Sequence, residues 1–249
     1  MHIMFNRDLG KHIKISTVLN ENIWEPCCND IQCVYPKHYC LKNEIRKRLL
    51  KIAYDFHIFL DIDVVVEDVI FTGSLANFNY TEFSDIDLHI LIDYRKVNDD
   101  YDLVKNHMNA KKTVWNDKHD IKIKGFEVEL YAQDVSEAHH SSGVFSVLKN
   151  EWIVSPEQSS PKIDFHSVME KSECMMRQID YVLKSPQRED KIAKMKERIK
   201  NMRQSGLSKE GEFSIENLVF KVLRNTGYIG KIYKIATSDY DSRMSIEQE

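Results

Sequence analysis

Residues Asp85-Ile86-Asp87-Leu88-His89-Ile90 alternate strictly between polar and apolar before running on into Leu91-Ile92. That period marks a half-buried β-strand, with Asp85, Asp87 and His89 on one face and Ile86, Leu88 and Ile90 on the other. Aspartate is disfavoured in strands, so two on one face point to a use beyond packing. Ten residues separate Asp85 from Ser74, and the pair Gly73-Ser74 closes a Val- and Ile-rich run from Asp63 to Thr72. That run predicts a second strand, ended at Gly73 because a tight turn there favours a residue without a Cβ. A strand, a glycine corner, a polar loop over 77–83 and an acidic strand commit this part of the chain to a sheet.

Around this pair the periodicity alternates between helix and strand. Ile45, Leu49, Ile52, Ala53 and Phe56 fall at helical spacing and predict an amphipathic helix from Leu41 to about His57. A helix is expected over Asn98–Trp115 and one long strand over Ile121–Gln133, with short strands at Val144–Leu148 and Trp152–Val154. Between them His139-His140-Ser141-Ser142-Gly143 reads as a turn at the edge of the cleft, and Pro156–Pro161 as a linker. Three helices follow, Asp164–Leu183, Arg188–Gln204 and Ser214–Arg224, separated at Ser185-Pro186 and at Ser205-Gly206. The expected fold class is α/β in the α+β sense: a short mixed sheet flanked by helices, with a helical C-terminal region. The domains expected are an irregular N-terminal extension over 1–40, a sheet domain over 41–155 and a helical domain over 162–249.

With 249 residues, 42% hydrophobic and 30% charged, the chain can bury one large or two modest cores. No stretch approaches the ~20 apolar residues of a membrane span, and the first residues lack the apolar block of a signal peptide, so no membrane partner and a cytoplasmic location are expected. Four of the five cysteines, Cys27, Cys28, Cys33 and Cys40, crowd one segment, with Cys174 apart. With His38 they raise a zinc site, but two Cys-x-x-Cys pairs are missing and reduced thiols are the reading adopted. Net charge is −4, yet Lys184–Lys234 carries thirteen basic residues against six acidic ones. Such a segment is either a solvated helix face or a partner surface for a nucleic-acid backbone, RNA in particular.

Asp85 and Asp87 project side by side roughly 6.6 Å apart along their strand, a spacing that can bracket divalent ions. A two-ion site needs a further carboxylate from a neighbouring strand. Glu127 and Glu129, two apart on the later strand, are the candidates; Glu129 is favoured, being followed by Leu130-Tyr131 and nearer the strand's open end, while periodicity leaves Glu127 in play. His89, His139, His140 and the lysines Lys105, Lys111 and Lys112 could lie near such a site.

The sequence Phe71-Thr72-Gly73-Ser74, then Ser84-Asp85-Ile86-Asp87-Leu88, then Val128-Glu129-Leu130 resembles the DNA polymerase beta-like nucleotidyltransferase superfamily over about Leu41–Gln133. Many members have Asp where this chain has Glu129. The resemblance implies that Asp85, Asp87 and Glu129 are catalytic and hold two Mg2+ or Mn2+ ions. It implies that Gly73, Ser74 and Ser84 contact a nucleoside triphosphate such as ATP. The reaction implied is in-line attack of an acceptor hydroxyl on the α-phosphorus with loss of pyrophosphate, the acceptor being an RNA 3′ end if the basic tail is a guide. A toxin-like transferase modifying a protein or tRNA, and a catalytically silent module that binds nucleotide or nucleic acid, are the alternatives.

Overall fold

The computed structural model describes residues 9–12, 14–27, 38–139, 141–158 and 162–246. Cys28, Cys33, His140 and part of the linker lie outside them. The fold is mixed α+β, and its contacts divide the chain into two compact units, one of residues 15–159 and one of residues 1–14 with 160–249.

The first unit is built on a six-stranded sheet. Its strands are β3 (Asp68–Thr72), β4 (Ile86–Ile92), β5 (Lys122–Ile123), β6 (Phe126–Asp134), β7 (Val144–Ser146) and β8 (Glu151–Val154), in the order β5-β6-β4-β3-β7-β8. β4 and β6 are parallel; the other neighbours are antiparallel. One face carries Val69, Phe71, Ile86, Leu88, Ile90, Val128 and Leu130, all buried. Against it pack α1 (Asn43–Leu60), through Ile45, Leu49, Ile52 and Phe56, and α3 (Tyr101–Lys118), through Val104, Met108 and Trp115. Each such side chain contributes about 1.5–3 kcal/mol by leaving water, and together they fix which sheet face turns inward. The short helix α2 (Tyr94–Val97) follows β4, and Asp100 caps α3 by accepting the Leu103 N–H at 3.0 Å.

Several expected boundaries move for physical reasons. The strand expected over Ile121–Gln133 is a hairpin, because Lys124 (φ 52°) and Gly125 (φ 92°) form a two-residue turn with both residues left-handed. β3 begins only at Asp68, opposite Leu91 near the end of β4. The segment expected to be an irregular extension contributes β1 (Trp24–Pro26) and β2 (Tyr39–Leu41), an antiparallel pair within the sheet unit. Trp24 is 2% exposed, stacks on Phe71 and Trp152, and donates its indole N–H to the Leu75 carbonyl at 3.2 Å.

The second unit is helical: α4 (Phe165–Lys184), α5 (Glu189–Glu210), α6 (Ile215–Asn225) and α7 (Tyr228–Met244). Val168, Met175, Ile179, Ile192, Met195, Ile199, Leu218, Val219 and Val222 form its interior. The break expected at Ser205-Gly206 does not occur. α5 continues to Glu210, and Gly206 is where α6 comes close: a Cβ on it would meet Ser214 Oγ and Glu216 Cβ at 2.6 Å. α7 is an addition to the sequence reading. Ile232 is its buried residue, and ion pairs Arg188–Asp239, Lys231–Asp180 and Arg243–Glu189 tie it to α4 and to the start of α5. Among the described residues no helix is long and apolar enough to cross a membrane.

Candidate active site

The face of the sheet opposite α1 carries the polar residues, and their register follows from strand pairing alone. Thr72 of β3 pairs with Asp87 of β4, and Asp87 pairs with Glu129 of β6. Directly paired residues share a face, so Asp87 and Glu129 stand side by side on strands about 4.8 Å apart. Asp85 lies two residues before Asp87, at the mouth of β4. Glu129 sits in the first half of its strand, and not near the end as expected: β4 and β6 run parallel, so the early residues of both meet. Glu127 is exposed and lies on the hairpin with β5, its carboxylate 3.5 Å from Lys122 Nζ.

Gly73 turns the chain at φ 78° and ψ −166°, a conformation essentially confined to glycine. It lets the Asp87 side chain rest on the corner, since a Cβ on Gly73 would overlap Asp87 Oδ2. Beyond it the chain makes a single 3-10 turn, Ser74–Ala76. Ser74 Oγ donates to Ser84 Oγ at 2.8 Å, and the Thr81 N–H donates to the same oxygen at 3.0 Å. Ser84 is buried, so it anchors the polar loop and orients Ser74. The turn over 141–143 crosses the same corner: Thr72 donates to the Gly143 carbonyl at 3.3 Å and Asn77 to Ser141 Oγ at 3.2 Å.

Tyr131 reports on all three acids. Its hydroxyl donates to Glu129 Oε2 at 2.5 Å. Burial pushes its phenol far above the ordinary value, and the Glu129 hydrogen bond, then the charges of Glu129, Asp87 and Asp85, push it further. Of the three acids, Glu129 is the one in hydrogen-bond contact with the phenol. Tyr131 is absent from the residues that the sequence singles out for the site; the signal for it is its i, i+2 spacing from Glu129, which puts both on one face. Next along the sheet, His89 stacks on Tyr131 with ring centroids 4.6 Å apart and donates from Nδ1 to Gln133 Oε1 at 2.7 Å. Burial holds the His89 imidazole below its ordinary value, so it stands neutral. Lys112 Nζ lies 4.2 Å from the Tyr131 ring centre. The other two lysines are engaged elsewhere, Lys105 with Glu137 and Lys111 with the Phe59 carbonyl.

Among the described residues no group of three or more His, Cys, Asp and Glu side chains is gathered closely enough to hold a metal ion as the side chains stand. Near β1 and β2, Cys27 is an exposed free thiol and Cys40 a buried one. Burial, then the neighbouring Cys40, pushes the Cys27 thiol up to about 12, so it is protonated at neutral pH.

Comparison of the chain with protein-family models, with curated proteins and with solved structures found no match in any of the three.

Proposed function

We propose that this chain is a metal-dependent nucleotidyltransferase that moves a nucleoside monophosphate from a triphosphate, ATP among the candidates, to an acceptor hydroxyl and releases pyrophosphate. The observation that carries the reading is the position of Asp87, which is paired with Glu129 on one side and rests on Gly73 on the other. Two carboxylates and a glycine turn are thereby brought to one point of the sheet.

The donor set fits the ions the reaction needs. Asp85, Asp87 and Glu129 offer hard oxygen ligands only, the preference of Mg2+ and Mn2+. Two such ions, when bound, would lower the acceptor hydroxyl's pKa and neutralise charge on the departing oxygens. The remaining work is the chain's own. Gly73 lets the Asp87 carboxylate rest against the corner, and Ser74, oriented by Ser84, presents its hydroxyl beside it for a phosphate. Tyr131 fixes the rotamer of Glu129. Positioning of this kind accounts for much of the rate in phosphoryl chemistry. The catalytic domain is the sheet unit, and the free thiols at Cys27, Cys40 and Cys174 suit a reducing cytoplasm.

One observation favours a second reading, a silent nucleotide-binding module: Glu129 is engaged by Tyr131 and the acids are not gathered as a ligand set. A single experiment separates the two. The protein is incubated with Mg2+ or Mn2+, each α-labelled triphosphate in turn, and pooled RNA or protein acceptors. Transfer of label to an acceptor supports the transferase. Nucleotide that binds and returns unchanged under every condition supports the silent module.

A further inference from the structure

A groove of about 620 Å3 runs between α5, α6 and α7 of the helical unit, and its walls are chemically two-sided. Apolar and aromatic side chains line it, among them the buried Ile232, Phe220 and the exposed Tyr233. Lys196, Lys200 and Arg203 rise from one face of α5 at the rim, against the single acid Glu197.

Arg188, Lys231, Arg243 and Lys171 each reach a carboxylate. Among the described residues, Lys196, Lys200 and Arg203 reach none within ion-pair distance; Arg203 lies over the Phe220 ring at 4.2 Å and Lys196 over Tyr233 at 4.1 Å. Burial, then the charge of Arg224, depresses the Arg203 guanidinium's pKa, as expected of cations held together. Tyr233 is 56% exposed, a large ring left open beside them. A cluster of exposed cations raises the local concentration of anionic partners.

We propose that this groove binds single-stranded nucleic acid, with Lys196, Lys200 and Arg203 meeting backbone phosphates and the exposed Tyr233 ring offering a face on which a base stacks. Positive charge alone would suit any polyanion. Cations interleaved with aromatic rings beside apolar side chains select a ligand with both phosphates and planar bases, and exposed bases occur in single strands. The inference rests on the transferase reading only where it identifies the strand as the acceptor; binding stands apart from it.

The test is fluorescence anisotropy of the full chain with a labelled single-stranded RNA of about 12 nucleotides, and with the duplex of the same sequence. Binding is expected to weaken as salt rises and to favour the single strand over the duplex. Lys200→Glu and Arg203→Glu are each expected to weaken it about tenfold, and Tyr233→Ala by a similar factor, while Lys194→Glu on α5 outside the groove has little effect. Circular dichroism melts establish that each variant is folded. The binding assay contains neither nucleotide nor divalent metal, so a failed transfer assay leaves this result intact. Equal loss in Lys194→Glu and Lys200→Glu, tighter binding of the duplex, or no binding at low salt would overturn the proposal.

Discussion

Asp87 of β4 lies against the glycine corner at the end of β3 so closely that a methyl group on Gly73 would come within 1.7 Å of Asp87 Oδ2. Two motifs ten residues apart in sequence are thus one structural object. Gly73→Ala meets two penalties, a strained backbone at φ 78° and a clash with the carboxylate. The backbone strain alone costs on the order of 1–3 kcal/mol. Urea denaturation should show that loss, and transfer activity should fall more steeply than stability because Asp87 is displaced.

Asp134, at the end of β6, is 3% exposed and holds the start of α2. Its carboxylate accepts the N–H groups of Tyr94 and Ser136, both at 2.8 Å, and the Ser136 hydroxyl. Burial raises its pKa, but these hydrogen bonds outweigh burial and hold it below the ordinary carboxylate value. Unfolded, the group titrates near 3.9. Its stabilisation is therefore present above about pH 4 and is lost as pH falls through the lower folded value. Asp134→Asn should cost about 1–3 kcal/mol at neutral pH, with the gap to the parent closing under acid in urea titrations at several pH values.

In the helical unit, Gly206→Ala tests the meaning of a glycine within a helix. Intrinsic propensity favours alanine by about 1 kcal/mol. Here the new methyl meets Ser214 and Glu216 at 2.6 Å, so the variant should instead be destabilised by about 1–3 kcal/mol, read as a lower thermal midpoint. A gain in stability would mean that α6 moves away without cost.

Much of this was legible because hydrophobic period carries it. The burial of Ile45, Leu49, Ile52 and Phe56 on α1, and the two faces of β4, follow from spacing. Three features resisted for distinct reasons. α7 carries Ile229, Ile232, Tyr233 and Ala236 at helical spacing, but buries only Ile232 and is held largely by ion pairs, so its stripe is a weak guide to packing. Gly206 looked like a helix end because sequence shows a missing side chain and not the helix that needs the space. Trp24 reads as one aromatic in an irregular stretch, and its role appears only when it meets Phe71, Trp152 and the Leu75 carbonyl, far away in the chain. That Glu129 is the residue paired with Asp87 follows from the β4–β6 register, which the periodicity of one strand cannot supply.

Tyr131→Phe removes the hydroxyl that holds Glu129 and leaves the ring stacked on His89. Groups that orient metal ligands typically matter by about 10–100-fold. The variant should lose transfer activity in that range and require more Mg2+ for half-maximal rate, with its urea midpoint little changed. Equal activity and equal Mg2+ requirement would remove Tyr131 from the site.

The central claim, that Asp85, Asp87 and Glu129 act together beside Gly73, is tested most directly by pyrophosphate release with Mg2+ in Asp87→Asn, Glu129→Gln and Glu127→Gln, side by side. Loss on the order of 100-fold or more is expected for Asp87→Asn and Glu129→Gln, and a rate near the parent's for the exposed, lysine-paired Glu127→Gln. Pyrophosphate release that survives Asp87→Asn, or that depends on Glu127 and not on Glu129, would contradict it.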